Sequence, residues 1–141
     1  SLRVLYTPGH TQDSISLLDQ EAGYLFAGDF LYPGQLYGFL PNSNMGDYLQ
    51  GARTIESVSG IDLRVFGAHR DDALGVPELT FETVVQLQDA LEAIQSGALK
   101  SNGMYPVAYT VSERVQLLSE PKWLQKWKPT YPELNVGKKS D

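Results

Sequence analysis

Apolar positions in the first thirty residues come in short, alternating runs. Residues 2–6 (LRVLY), 15–19 (ISLLD) and 24–28 (YLFAG) each fit a strand. Gln20-Glu21-Ala22-Gly23 predicts a tight turn that pairs the second run with the third as a hairpin. Residues 30–44 (FLYPGQLYGFLPNSN) lose this pattern and are expected to form a long aromatic loop broken by Pro33, Gly34, Gly38 and Pro41. The period then lengthens. Tyr48, Ala52 and Ile55 predict a helix over about 45–58, capped by Asn42, Ser43 or Asn44 and ended by Gly60. LRVF (63–66) is a fourth strand, and Val84, Leu87, Leu91 and Ile94 mark a second helix over about 78–96, stopped by Gly97. Residues 105–118 predict a strand pair around Val111-Ser112-Glu113, and Trp123 and Trp127, four apart, suggest a short docked helix.

Composition narrows the function classes. With 141 residues, 42% hydrophobic and 20% charged, the chain has the size and make-up of one globular domain. No apolar run approaches the ~18 residues of a membrane span, and the chain opens directly on a strand-like segment rather than a leader. A net charge of −6 leaves no basic stripe for nucleic acid, and the late lysines (122, 126, 128, 138, 139) fit a solvated tail. The absence of cysteine excludes disulfides, thiolate zinc sites and cysteine nucleophiles. It does not fix the compartment; a cytoplasmic setting is favoured over an exported one.

The chemistry concentrates in three residues. His10, in TPGHT, and His69, in VFGAH, are the only histidines; each follows a predicted strand through a glycine-containing turn. Asp29 follows a third strand, directly after Gly28. Strand ends in a layered fold gather at one rim. Imidazole and carboxylate bind Zn²⁺ at about 2.0–2.2 Å, and two histidines with one carboxylate also suit Fe(II) with open positions. A histidine on a Pro-Gly turn equally suits a surface or capping position, and spacing alone leaves both readings open. Ser14 and Asp13 could brace the His10 turn, and Arg70, Asp71 and Asp72 could fix the tautomer of His69, although a solvated loop run explains the latter three as well. Tyr32, Tyr37 and Phe39 in the aromatic loop could wall an apolar substrate pocket or simply cover a core edge. There is no Gly-x-Ser-x-Gly elbow, phosphate loop or dinucleotide fingerprint.

TPGHTQDSISLLDQEAGYLFAGDFLYPG, followed by VFGAH, resembles the second half of a metallo-β-lactamase superfamily domain. The likeness rests on a TPGHT-x-x-S turn, an alternating hairpin, a Gly-Asp pair and a later glycine-histidine motif, here with Ala68 interposed, and covers residues 3 to about 118. It implies an α/β (α+β) fold: half of a four-layer αββα sandwich, a mixed β-sheet with two main helices on one face. It implies that His10 completes a first zinc site, that Asp29 bridges two zinc ions as the catalytic carboxylate, and that His69 ligates the second. A metal-bound hydroxide would attack an ester, thioester or lactam-type bond of a small-molecule substrate with an apolar part.

The family's His-x-His-x-Asp-His signature, which belongs to the first half, is absent from this chain. Two histidines are too few for a complete binuclear site, so the 141-residue chain taken alone is expected to be inactive, with two zinc ions bound only where the missing half completes the site. The alternative is a non-catalytic remnant or interaction domain of the same fold. A half sandwich leaves an apolar sheet face uncovered, which predicts a homo-oligomer or a complementing N-terminal half. Residues 1–118 are expected to form the half domain and residues 119–141 a polar extension carrying both tryptophans.

Overall fold

In a computed structural model, which describes residues 1–70 and 76–130, two β-sheets and two helices share one core. The predicted hairpin forms as expected: β1 (Leu2–Tyr6), β2 (Ile15–Asp19) and β3 (Tyr24–Gly28) run antiparallel in sequence. After β4 (Gly34–Gly38) and α1 (Met45–Val58), β5 (Arg64–Gly67) joins β3 in parallel. The short β6 (Leu79–Thr80) then leads straight into α2 (Phe81–Ser96). The first sheet therefore has the order β1-β2-β3-β5-β6.

The aromatic loop differs from expectation. It contains β4, which pairs in parallel with β8 (Val115–Ser119), while β7 (Val107–Thr110) pairs antiparallel with β8. Two mixed sheets thus stand where one was expected. The partner of β4 lies about eighty residues downstream, for example Leu36 opposite Leu117. Glycine at both ends of the run hides its strand character locally.

Strand alternation divides the first sheet into two faces. Leu18, Leu25, Val65 and Leu79 align across four strands and are buried against Tyr48, Ala52, Ile55, Val84, Leu87 and Leu91 of the helices. On the opposite face Val4, Leu17, Phe26 and Phe66 align in register. Val4 is 62% exposed and Phe26 43%, with Leu2 and Ile15 also exposed beside them. The Phe26 and Phe66 rings stack at 5.8 Å, and the Arg64 guanidinium sits 5.4 Å from the Tyr24 ring centre. An apolar row four strands wide therefore faces outward.

Helix α1 starts on Asn44, whose side chain accepts from the Asp47 N–H at 2.9 Å, one of the three caps the sequence offers. It ends one residue before the expected Gly60: the Ser59 N–H and hydroxyl both donate to the Ile55 carbonyl. Chain beyond β8 holds the start of this helix. Asp47 accepts from the Thr130 N–H at 2.7 Å and from its hydroxyl at 2.6 Å, Asn44 donates to the Lys128 carbonyl, and Met45 N–H donates to the Lys126 carbonyl. The expected docking of both tryptophans is half met: Trp127 packs against the core, but Trp123, in the 3₁₀ turn Lys122–Leu124, is 82% exposed. The 3₁₀ turn stops at Leu124 and the chain is extended at Gln125, so Trp127 lies outside the turn and the two rings share no helical face. Asn44→Ala removes the cap and the tie to Lys128 together, and we expect a loss of about 0.5–2 kcal/mol in a denaturant titration, recovered only in part by Asn44→Asp, which keeps the cap acceptor but has no N–H for the Lys128 carbonyl.

Tyr48 lies fully buried on α1, stacked at 4.7 Å on Phe30, with its hydroxyl donating to the Phe30 carbonyl. Burial holds its phenol well above the ordinary range, with Tyr32 and Asp29 nearby adding to the effect. The unfolded chain ionises near pH 10 while the folded one keeps its proton, so stability falls as pH rises above about 10. Tyr48→Phe should flatten that alkaline decline in a melting-temperature series, at the cost of one hydrogen bond at neutral pH.

Candidate metal and hydrolase site

The turn after β1 is fixed at several points. Thr7 N–H donates to the Ser14 carbonyl and Gly9 N–H to the Thr11 carbonyl, while Asn44 N–H donates to the Gly9 carbonyl. Gly9 has φ +150°, and a Cβ there would sit 2.6 Å from the Tyr48 ring. Only glycine allows this turn to lie directly on the helix. The next residue, His10, is thereby aimed from the strand end, and Ser43 donates its hydroxyl to the His10 carbonyl at 2.8 Å.

The His10 ring has a defined tautomer. Nδ1 lies 3.0 Å from the Tyr37 carbonyl of β4, and a carbonyl only accepts, so Nδ1 carries the proton. Nε2, on the other side of the ring, faces Oδ2 of Asp29, 3.7 Å away. Two electron-rich atoms so placed leave room for a cation or a proton between them.

Asp29 is set by an irregularity in β3. Its pairing with β5 shifts between Phe26 and Gly28, and Gly28 turns left-handed at φ +55°. Ala68 N–H donates to the Gly28 carbonyl at 2.8 Å, so the residue interposed before His69 ties the two strand ends together. Asp29 Oδ1 then lies 2.8 Å from His69 Nε2, and the His69 ring meets the Tyr32 ring edge-on at 5.0 Å. The carboxylate thus stands between both imidazoles, one oxygen toward each. The His10 side chain is 15% exposed, against 41% for Asp29 and 56% for His69, so the group opens to solvent on the His69 side.

As metal donors these residues are of the right kind but too few. Among the described residues no three His, Cys, Asp or Glu side chains meet closely enough to hold an ion.

The remaining expected residues separate. Ser14 donates to the Thr11 hydroxyl, which donates to Asp13, so both residues brace the turn rather than touch the His10 ring. Asp71 and Asp72 lie outside the described residues. Tyr32 is buried, its hydroxyl donating to the Gln35 carbonyl, whereas Tyr37 is 42% exposed and Phe39 half-buried, their rings 5.2 Å apart. Sequence reasoning missed the contacts that orient His10: the Tyr37 carbonyl carries no side-chain signal, and Ser43 appeared only as a helix cap. An open cavity of about 370 Å³, lined by Leu18, Gly23, Val58 and Leu63, lies by the β2–β3 turn, at the opposite strand ends from Asp29.

The family described as the metallo-beta-lactamase superfamily matches residues 1–88. The acyl-coenzyme A thioesterase MBLAC2 of Gallus gallus is 36% identical over 49% of this chain, and that of Homo sapiens 40% identical over 48%. These alignments span 28% and 25% of the relatives, so the chain spans about a quarter of the curated proteins it matches. Among solved structures, ETHE1 from Myxococcus xanthus superposes with a TM-score of 0.50 at 25% identity, over 64% of this chain and 39% of that one. No helix among the described residues is long and apolar enough to cross a membrane.

Proposed function

This chain belongs to the metallo-beta-lactamase superfamily, and from that premise we propose that it carries the second half of a zinc-dependent hydrolase site that acts on thioesters. Zinc at such a site acidifies water and polarises a carbonyl. In this reading His10, Asp29 and His69 are the chain's metal donors, and the remaining ones come from an N-terminal half outside these 141 residues. The observation that carries it is the Asp29 carboxylate, which presents one oxygen to each imidazole at 2.8 and 3.7 Å. The Tyr37 carbonyl keeps His10 in the tautomer whose Nε2 is free to ligate. Tyr37 and Phe39 form an apolar surface beside His10, suited to the apolar part of a substrate. The thioester class comes from the MBLAC2 relatives, which are named acyl-coenzyme A thioesterases.

The outward row of Val4, Leu17, Phe26 and Phe66 supports a partner across the sheet: the complementing half or a second copy. We expect light scattering at micromolar concentration to give at least a dimer for the chain alone; a monodisperse monomer would argue against the second copy. In this reading residues 1–118 form the half domain, and residues 119–130 tie down the start of α1.

A second reading has its own support. With no three donors meeting among the described residues, the isolated chain fits a non-catalytic remnant of the same fold. Metal analysis by mass spectrometry separates the two. About two zinc ions per chain once the complementing half is present, with hydrolysis of an acyl thioester, support the enzyme. No metal and no hydrolysis under those same conditions support the remnant.

A further inference from the structure

Beside His10 the second sheet brings aromatic rings together from distant parts of the chain. Tyr37 ends the exposed face of β4, one carbonyl away from the His10 ring. Phe39 follows at 5.2 Å from it, and the Tyr105 ring meets Phe39 edge-on at 6.4 Å. Tyr105 comes from the segment before β7, more than sixty residues later, and is 60% exposed; its neighbour Met104 is 94% exposed. Tyr105 is not loose: its hydroxyl donates to Glu120 at 3.0 Å, just beyond β8. The hydrogen bond to the Glu120 carboxylate also raises the phenol's pKa above its ordinary value. Three rings in edge and tilted contact, starting at Tyr37, whose carbonyl holds the Nδ1 side of the His10 ring, and ending at Tyr105, anchored by a carboxylate, make a continuous apolar track rather than scattered surface aromatics.

We propose that Tyr105 is a specificity-determining residue: with Phe39 and Tyr37 it seats the apolar arm of the substrate as that arm leaves the His10–Asp29–His69 rim. The proposal rests on the thioester-hydrolase reading above for the identity of the reacting group, but the track itself depends only on the rings. An unbranched acyl arm fits it because a chain of methylenes can lie along successive ring edges, whereas a charged or compact substituent gains nothing from them.

The test is a calorimetric titration of the 141-residue chain with two non-hydrolysable probes, the S-ethyl and S-octyl thioethers of coenzyme A. The wild-type chain should prefer the octyl probe. Tyr105→Ser should shrink that preference about tenfold, equivalent to the burial of roughly two methylene groups. Phe39→Ser should act in the same direction, and Tyr105→Phe, which keeps the ring and loses the Glu120 bond, should retain most of the preference. An unchanged octyl-to-ethyl ratio in Tyr105→Ser, or a wild-type chain that binds neither probe, overturns the proposal. So does a variant that changes only the oligomeric state, which would make the track a contact between copies. Hydrolysis of acetyl and octanoyl thioesters is followed in parallel. Its absence when an N-terminal half completes the site counts against the hydrolase reading, while the thioether ratio still decides the role of Tyr105.

Discussion

Asp29→Asn is expected to lower zinc affinity more than about a hundredfold. Loss of a hydrogen-bonding group that merely supports a metal ligand costs about 10–100-fold, and Asp29 faces both imidazoles directly. Asparagine keeps the size and can still hydrogen bond to His69, so the fold should remain, with a melting temperature close to that of the wild type. What disappears is the negative charge between two potential cation sites. Metal retained per chain after dialysis against a buffered zinc series reads the effect, and in the variant thioester hydrolysis, measured with the site completed by an N-terminal half, should fall in parallel. His10→Ala and His69→Ala should each reduce retention, and each should have less effect in the Asp29→Asn background than alone, because the three act on one site. Retention within about threefold of wild type in Asp29→Asn would remove the carboxylate from the account.

Gly9→Ala should act through the fold. Its φ of +150° is a region that alanine rarely occupies, and the added methyl would meet the Tyr48 ring at 2.6 Å and the Tyr48 Cα at 2.8 Å. Backbone strain of about 1–3 kcal/mol and overpacking of about 1–3 kcal/mol give an expected destabilisation of about 2–6 kcal/mol in chemical denaturation. Tyr48 cannot yield easily, since it is fully buried and bonded to Phe30. The turn must move instead, taking His10 away from the Tyr37 carbonyl. Zinc retention should therefore drop even under conditions where Gly9→Ala remains folded. Gly97→Ala, at the end of α2 with no atom within 4 Å of the added methyl, provides the comparison for strain without collision. A Gly9→Ala chain as stable as wild type would show that the turn does not rest on Tyr48.

What the sequence made legible follows from range. The hairpin of β1–β3 and the stripes of α1 and α2 are patterns over neighbouring residues, so alternation and helical spacing reveal them. Likewise His10, Asp29 and His69 each sit just past an apolar run, and the prediction that strand ends gather at one rim follows from the fold class. Of the second sheet the β7–β8 pair was legible but β4 was not, because β4 gains its strand character only by pairing with β8, far along the chain. The same distance hid Tyr105, which meets Phe39 only once that sheet forms. The orientation of His10 was hidden for a different reason: it depends on a backbone carbonyl, a group every residue carries. The clamp of Asp47 on Thr130 was missed because a lone aspartate in a first helical turn fits the helix dipole equally well.

Nitrogen-15 NMR of the two imidazoles during a zinc titration tests the central claim most directly, since the chain has only these two histidines. The account predicts that Nε2 of His10 and Nε2 of His69 shift together on adding zinc, with Nδ1 of His10 remaining protonated, and that both responses vanish in Asp29→Asn. Shifts confined to one ring, or a response that survives unchanged without the carboxylate, would contradict it.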